Sequence, residues 1–171
     1  MKDKKALNKK ILIEAEKDVD GSQYLTFKEG NEIYGISISS IKEVLNYISI
    51  RNIPLTPGYI KGILNLRGNL LPVIDLSYHF YKRISEINKS SSIIVVEQNY
   101  EEDTMQVGLL VDAVNEVIFI PEESIDAKPD FGTKIRSDYI KGVGKLASKY
   151  IIILNLSAFL NMDELSNFEK E

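Results

Sequence analysis

The tetrapeptide YIKG occurs twice in this chain, at residues 59–62 and again 80 residues later at 139–142. In the same register, LLPVIDLSYHF at residues 70–80 lies over YIIILNLSAFL at residues 150–160. The apolar positions coincide, and each apolar run ends in Asp or Asn followed by Leu-Ser. This agreement predicts an internal duplication, a feature that decides the fold before any strand is assigned.

A second pair of blocks extends the repeat toward the N-terminus. GISISSIKEV at residues 35–44 lies over GLLVDAVNEV at residues 108–117, an offset of 73. The longer connection at residues 118–138 absorbs the difference between the two offsets. The sequence therefore predicts repeat one over about residues 22–90 and repeat two over about residues 91–162.

Each repeat is composed of short segments that resemble β-strands. Ile36 and Ile38 show the alternation of a half-buried strand. The apolar segments 63–66 and 70–74 are separated by Arg67-Gly68-Asn69, a Gly-containing link typical of a hairpin. The predicted strands are residues 24–27, 33–38, 63–66 and 70–74 in repeat one, and 93–96, 107–111, 143–146 and 150–154 in repeat two.

Helical signals are weak by comparison. Short turns are expected after Asp75 and Asn155, which are candidate N-caps, and a helix is expected at residues 163–170. Several short strands per repeat, with Gly at the corners, favour small barrels. One barrel of this size is marginally stable, so we predict an all-β fold of two packed barrels.

The residue content argues against most enzyme chemistry. The 171 residues include no Cys and a single His, His79. Thiol nucleophiles, disulfides and multi-His metal centres are therefore excluded. We interpret His79 as a partly buried ring with a local hydrogen bond, because no Ser or Cys partner for a catalytic base is evident. We predict no catalytic residue, no metal and no cofactor.

The net charge of −4 is unevenly distributed. Residues 1–17 carry six Lys against three acidic residues, so the rest of the chain carries −7. An acidic body does not attract phosphate backbones, which argues against a nucleic-acid partner. No segment has the apolar length of a signal peptide or a membrane span. We expect a cytoplasmic protein whose residues 1–21 form a flexible basic extension.

Two further motifs are assigned to structure. GVGK at residues 142–145 lacks the spacing of a phosphate-binding loop and repeats a turn of repeat one. The acidic run at residues 101–103 lacks the spacing of a calcium loop and is interpreted as an exposed hairpin tip. Two alternatives remain open: a small-barrel nucleic-acid binder, suggested by the nine Tyr and the basic leader, and a hydrolase that uses His79.

Four blocks, in order, resemble the CheW family of bacterial chemotaxis coupling proteins. They are EIYGISISSIKEV, GYIKGILNLRGNLLPVIDL, VGLLVDAVNEV and YIKGVGKL, of which IKGxxNLRGxxxPVIDL at residues 60–76 is the most specific. The resemblance covers about residues 22–165, and residues 163–171 are predicted to form a C-terminal helix and tail. It implies two five-stranded SH3-like barrels, between which strands can be exchanged.

The resemblance also implies a function. Members of this family are non-enzymatic adaptors that join the cytoplasmic tip of methyl-accepting chemoreceptors to the regulatory domain of the CheA histidine kinase. Such adaptors are associated with membrane-bound receptor arrays without inserting into the membrane. The chain has no room for a kinase or receiver domain, so a free-standing coupling protein is the best match.

In this family the receptor-binding groove lies between the barrels, and a receptor helix docks into it. The positions carried over one at a time are Ile41, Glu43, Gly62 and Arg67, with Ile93, Val114 and Val117 forming the opposite wall. The resemblance implies apolar contacts at the Ile and Val positions, close backbone approach at Gly62, and an ion pair between Arg67 and Glu43 at the rim. Barrel core is the alternative for the apolar positions, and structural hydrogen bonding is the alternative for Arg67.

A second site is implied for the kinase. Asp130 and Phe131, in the long connection of repeat two, match a family position that contacts the kinase regulatory domain. An exposed Phe on a loop requires an explanation, and a partner supplies one. The alternative is that Phe131 folds back as a loop anchor.

Overall fold

The computed structural model describes residues 21–127 and 135–166. Within these ranges the chain forms eleven strands, three short α-helices and three 3₁₀ turns. Repeat one contains β1 (Gly21–Glu29), β2 (Glu32–Ser37), β3 (Ile41–Asn46), β4 (Ile60–Leu66), β5 (Asn69–Asp75) and α1 (Leu76–Tyr81). Repeat two contains β6 (Ser92–Tyr100), β7 (Asp103–Val111), β8 (Ala113–Pro121), β9 (Ile125–Asp126), β10 (Ile140–Leu146), β11 (Lys149–Leu154), α2 (Leu156–Phe159) and α3 (Met162–Ser166). The all-β prediction is confirmed.

The strands lie in two sheets, each of which takes strands from both repeats. Sheet 1 has the order β8-β1-β2-β11-β10-β9, and sheet 2 has the order β3-β6-β7-β5-β4. Hairpin β1–β2 of repeat one therefore belongs to the sheet of repeat two, and hairpin β6–β7 of repeat two belongs to the sheet of repeat one. This exchange means that neither repeat holds a complete sheet by itself.

The exchange follows the duplication in register. Each inserted hairpin meets its host sheet through a parallel pairing: Ile153 opposes Gly35 in sheet 1, and Val73 opposes Gly108 in sheet 2. These four residues are equivalent under the offsets of 80 and 73 that the sequence showed. The duplication thus extends from residue identity to strand pairing.

Strand β4 and its neighbours show why these residues form sheets. Alternate residues of β4 are buried, as expected for a strand with one face on the core, whereas residues 71–75 of β5 are all buried. A continuous buried run is typical of a strand that also pairs in parallel. Arg67 and Gly68 both have positive φ, at 53° and 88°, and form a two-residue turn, so the predicted three-residue link is one residue too long.

The main hydrophobic cluster joins the two sheets. It contains Phe27 and Ile152 from sheet 1 together with Ile94 and Leu109 from sheet 2, all of them buried. Complete burial of one such side chain stabilises the fold by about 1.5–3 kcal/mol. The two sheets therefore form one folding unit within the described residues.

An aromatic cluster lies where the two repeats meet. The His79 ring of α1 is 4.8 Å from Tyr59 and 5.5 Å from Tyr139, measured between ring centroids. Its Nε2 is 2.9 Å from the carbonyl oxygen of Phe159, the residue equivalent to His79 in repeat two. The ring is partly buried, as expected, but its hydrogen-bond partner is 80 residues away rather than local.

The short helices agree with the predictions in part. Asp75 caps α1 by accepting a hydrogen bond from the Tyr78 N–H at 3.3 Å. Asn155 precedes α2, but its side chain caps nothing, because its Oδ1 accepts from the Ser157 hydroxyl instead. The C-terminal helix α3 is observed, and residues 167–171 lie outside the described residues. None of the helices in the described ranges is both long enough and apolar enough to cross a membrane.

Candidate functional site

An exposed ion pair marks the rim of sheet 2. Arg67, in the β4–β5 turn, donates through Nη2 to Oε2 of Glu43 on β3. Strands β3 and β4 are the two edges of this sheet, so the pair joins one edge to the other. The hydrogen bond to Glu43 raises the pKa of the Arg67 guanidinium. The Arg67 side chain nevertheless remains 63% exposed, which leaves it accessible to a partner.

The equivalent turn of sheet 1 shows that an arginine is not required there. Ala147 occupies the position equivalent to Arg67 and has nearly the same backbone angle, with φ of 52° against 53°. The turn between β10 and β11 therefore adopts the same left-handed conformation without a long side chain. Arg67 is dispensable for the turn itself, and its role has to be sought in what its side chain contacts.

Two of the predicted groove residues are core residues. Ile93 is fully buried in a cluster with Leu64 and Leu110, and Ile41 is 7% exposed within the main cluster. Strand β6 also pairs directly with β3, so Ile93 does not lie on the wall opposite Ile41. The exchange of hairpins brings β6 into the same sheet as β3, and Ile93 occupies the core position that was the alternative for the apolar residues.

Val114 and Val117 lie on β8, the edge strand of sheet 1 next to β1. Both are half-buried and pack against the main cluster. Val44, on β3, is the repeat equivalent of Val117 and packs against the same cluster, also half-buried. The offset of 73 applied to Val117 leads directly to Val44, which was not among the predicted groove residues.

Gly62 is required by the chain's own backbone. Its φ is +155°, and a Cβ atom there would lie 2.2 Å from the carbonyl oxygen of Arg51. Arg51 pairs with Ile63 in an isolated bridge, just as β9 pairs with β10 in sheet 1. The close approach expected at Gly62 is therefore made within the molecule, by the segment between β3 and β4.

The remaining predictions divide between the described and the undescribed parts of the chain. Asp130 and Phe131 lie outside the described residues. The acidic run is confirmed as a hairpin tip, since Glu101 and Glu102 form the exposed turn between β6 and β7. Within residues 21–127 and 135–166, no group of three or more acidic or His side chains is arranged to hold a metal ion.

Comparison with known proteins identifies relatives over most of the chain. The CheW-like domain family matches residues 23–164. The chemotaxis protein CheW of Klebsiella aerogenes is 32% identical over 146 residues, which are 85% of this chain and 86% of that protein. The chemotaxis protein CheW of Treponema pallidum is 32% identical over 145 residues, 84% of each protein. The crystal structure of the scaffolding protein TtCheW from Thermoanaerobacter tengcongensis is similar with a TM-score of 0.72 and 40% identity, over 80% of this chain and 90% of that one.

Proposed function

This chain belongs to the CheW-like domain family of non-enzymatic chemotaxis adaptors, and from that premise we propose that it couples methyl-accepting chemoreceptors to the CheA histidine kinase. The receptor would bind through its cytoplasmic tip, and the kinase through its regulatory domain. The adaptor would then be located in membrane-associated receptor arrays.

One observation carries the receptor side of the proposal: Arg67 is exposed and oriented by Glu43 in a turn that does not need it. An exposed ion pair contributes little to stability, because solvent screens it. Its value is then in recognition, because a fixed guanidinium selects partners by geometry and charge. The receptor tip would meet this arginine at the rim.

The apolar part of the receptor site consists of Val44, Val114 and Val117. These side chains are half-buried and pack against the same hydrophobic cluster. Because β3 is an edge strand of sheet 2 and β8 is an edge strand of sheet 1, they present apolar surface from both sheets. A helix commonly docks in such a groove through side chains spaced along one face. Ile41 and Ile93 would support the groove from below rather than contact the receptor.

The kinase side rests on the family resemblance. We assign Asp130 and Phe131 to this contact because they match the family position, and an aromatic side chain is a frequent anchor of protein interfaces. Coupling then requires no catalysis: a receptor rearrangement changes the relative stability of kinase-on and kinase-off assemblies through a protein that contacts both.

The test is reconstitution of receptor fragment, kinase and this chain, with binding measured by co-sedimentation and kinase activity by phosphate transfer. We expect Arg67→Ala to weaken receptor binding by about tenfold, the loss of one charge-assisted contact. Kinase binding should persist in this variant. Phe131→Ala should show the reverse, with kinase binding weakened and receptor binding retained.

Arg136→Ala is the matched control for Arg67→Ala. Arg136 is also exposed, at 72%, and also forms an ion pair, with Asp138 at 3.1 Å. It should leave receptor binding unchanged. Equal losses from the two arginine variants would mean that general charge rather than the rim drives binding, and an unaffected Arg67→Ala variant would refute the receptor site.

A further inference from the structure

A buried carboxyl group lies where the exchanged hairpin β1–β2 meets repeat two. Glu29, the last residue of β1, is 0% exposed. Its Oε2 accepts a hydrogen bond of 2.9 Å from the backbone N–H of Asp112, between β7 and β8. Its Oε1 is buried and has no hydrogen-bond partner among the described residues. A carboxylate buried in this way is expensive unless it carries a proton.

The Asp112 side chain also forms a hydrogen bond with the exchanged hairpin. Its Oδ2 accepts a hydrogen bond of 2.9 Å from the N–H of Gly30, in the turn of the exchanged hairpin. The Tyr81 hydroxyl of α1 donates to the backbone carbonyl of Glu29 at 3.2 Å. Glu29 and Asp112 thus tie the hairpin turn to the β7–β8 link, and we call this pair joint 1.

The charges around joint 1 favour the neutral form of Glu29. Burial raises its pKa most, and the negative charges of Asp112 and Asp75 raise it further, whereas hydrogen bonds from the Asp112 backbone and the Ser77 side chain lower it; the resulting pKa is about 8. Glu32 of β2 faces Glu29 across the hairpin, and Tyr34 and Tyr81 pack nearby. The two charged groups that raise the Glu29 pKa, Asp112 and Asp75, are both acids, and Lys28 and Arg83 lie further out in the adjoining cavity.

Water has access to the other side of the joint. Gly30, Ser77 and Asp112 line a polar cavity of about 510 Å³ that opens to solvent, with Lys28, Arg83 and Glu86 among its other lining residues. Glu29 does not line this cavity itself, but its neighbour Gly30 and its hydrogen-bond partner Asp112 do.

We propose that joint 1 is a proton-operated latch, in which Glu29 stays buried against the β7–β8 link while it is neutral, and its ionisation drives the carboxylate out to water and opens the link locally beside the Lys28–Ala113 strand pair. On opening, the Glu29 O–H bond breaks, the proton passes to water, and the carboxylate becomes hydrated. The Asp112 and Gly30 amides lose their acceptors at the same time. This proposal is independent of the receptor and kinase contacts.

Joint 2, the equivalent position in sheet 2, supplies an internal reference. Gln98 takes the place of Glu29 and Ser39 takes the place of Asp112. Gln98 donates to the carbonyl of Glu97, and Ser39 bonds with Ser37, so neither residue ties hairpin β6–β7 in the same way. Joint 2 contains no carboxyl at these two positions and should not respond to protons.

The experiment is amide hydrogen exchange followed by NMR on the full chain between pH 6 and pH 9, corrected for the intrinsic pH dependence of exchange. The closed joint keeps a proton that the open joint loses, so its stability is present at low pH and is lost as pH rises through about 8. Protection of the Asp112 and Gly30 amides should fall by up to about tenfold per pH unit until pH 8. Protection at Ser39 should stay constant.

Glu29→Gln is the decisive variant, because glutamine keeps the shape and cannot ionise. It should remove the pH dependence at Asp112 and Gly30, whereas the control Glu97→Gln, on a carboxyl of β6 that is 27% exposed, should retain it. Constant protection at Asp112 in the natural chain would overturn the proposal, and so would the same fall at Ser39. If Glu29→Gln does not fold, the comparison of Asp112 with Ser39 in the natural chain still decides.

Discussion

Repeat one places Arg67 where repeat two places Ala147, and His79 where repeat two places Phe159. The backbone around each pair is nearly the same: the two turns share a left-handed residue, and the two ring positions share one aromatic cluster. Tertiary position is therefore preserved while the chemistry at that position differs. Positions that differ without a change in the backbone are the places where a duplicated fold can acquire a role that its other half lacks.

Other equivalent positions kept the same residue. Gly62 and Gly142 both admit a neighbouring backbone segment, and Tyr59 and Tyr139 both pack on His79. Because both repeats have the same residue at these positions, we infer that the arrangement of the strands requires it. The comparison separates Gly62, which the fold requires, from Arg67, which it does not.

The largest effect is expected from Gly62→Ala. A Cβ atom would lie 2.2 Å from the Arg51 carbonyl oxygen, and alanine is strained at φ +155°. The free energy of unfolding should fall by about 3 kcal/mol or more, the sum of a backbone clash and an unfavourable φ. Chemical denaturation followed by circular dichroism measures this loss.

Gly142→Ala is the matched variant in sheet 1. Its nearest contact would be a side-chain methyl of Ile125 at 2.8 Å, with the Asp126 carbonyl oxygen at 2.9 Å. The loss should therefore be smaller than for Gly62→Ala. An equal or larger loss at Gly142 would show that the two sheets do not differ in the tightness of this approach.

The next largest expected effect is on the acid dependence of stability, which involves His79. A carbonyl oxygen can only accept, so neutral His79 donates through Nε2 to Phe159 and leaves the buried Nδ1 without a partner among the described residues. Burial lowers the His79 pKa, while the bond to Phe159 acts in the opposite direction. The unfolded chain thus takes up a proton before the folded chain does. Stability is present above the ordinary pKa of about 6.5 and is lost as pH falls through the lowered value.

His79→Phe makes repeat one match repeat two and tests this account. At pH 8 the variant should lose about 1–2 kcal/mol, because the Phe159 carbonyl loses its donor. At pH 5 the loss should be smaller, since the natural chain has been weakened by protonation. Tyr59→Phe, which removes a buried hydroxyl without a partner among the described residues, is the control and should keep the acid dependence. A constant difference between pH 5 and pH 8 would contradict the role given to His79.

The smallest effect is expected from Ala147→Arg. The turn in sheet 1 already has the left-handed backbone of Arg67, so an arginine there should change the free energy of unfolding by less than about 0.5 kcal/mol. Thermal unfolding by calorimetry is the measurement. A large destabilisation would mean that the two turns are not interchangeable and would weaken the inference that Arg67 is dispensable for folding.

The sequence predicted the duplication and eight of the eleven strands, because each leaves a local trace, whereas the ion pair of Arg67 with Glu43 was implied by the family resemblance. Alternating apolar residues, a Gly-containing turn and a repeated tetrapeptide are visible without a structure. The burial of Ile41 and Ile93 was not decided by such traces, because an apolar residue in a strand has the same signature whether it faces the core or a groove. The contact of Glu29 with Asp112 was also missed. The two repeats differ there, since repeat-equivalent Gln98 and Ser39 are uncharged, but that difference does not show that Glu29 and Asp112 meet.

By itself, the sequence determined that this chain is a duplicated all-β protein without the residues for thiol or multi-His metal chemistry. Only the tertiary structure decided which strands share a sheet, and therefore which residues from distant parts of the chain meet. The physical reason is that a strand's residues specify its own pleat and burial, whereas its neighbours are chosen by the packing of the whole core. The exchange of β1–β2 and β6–β7 follows from that packing and brings Glu29 to Asp112, and the packing of the two repeats brings His79 to Phe159.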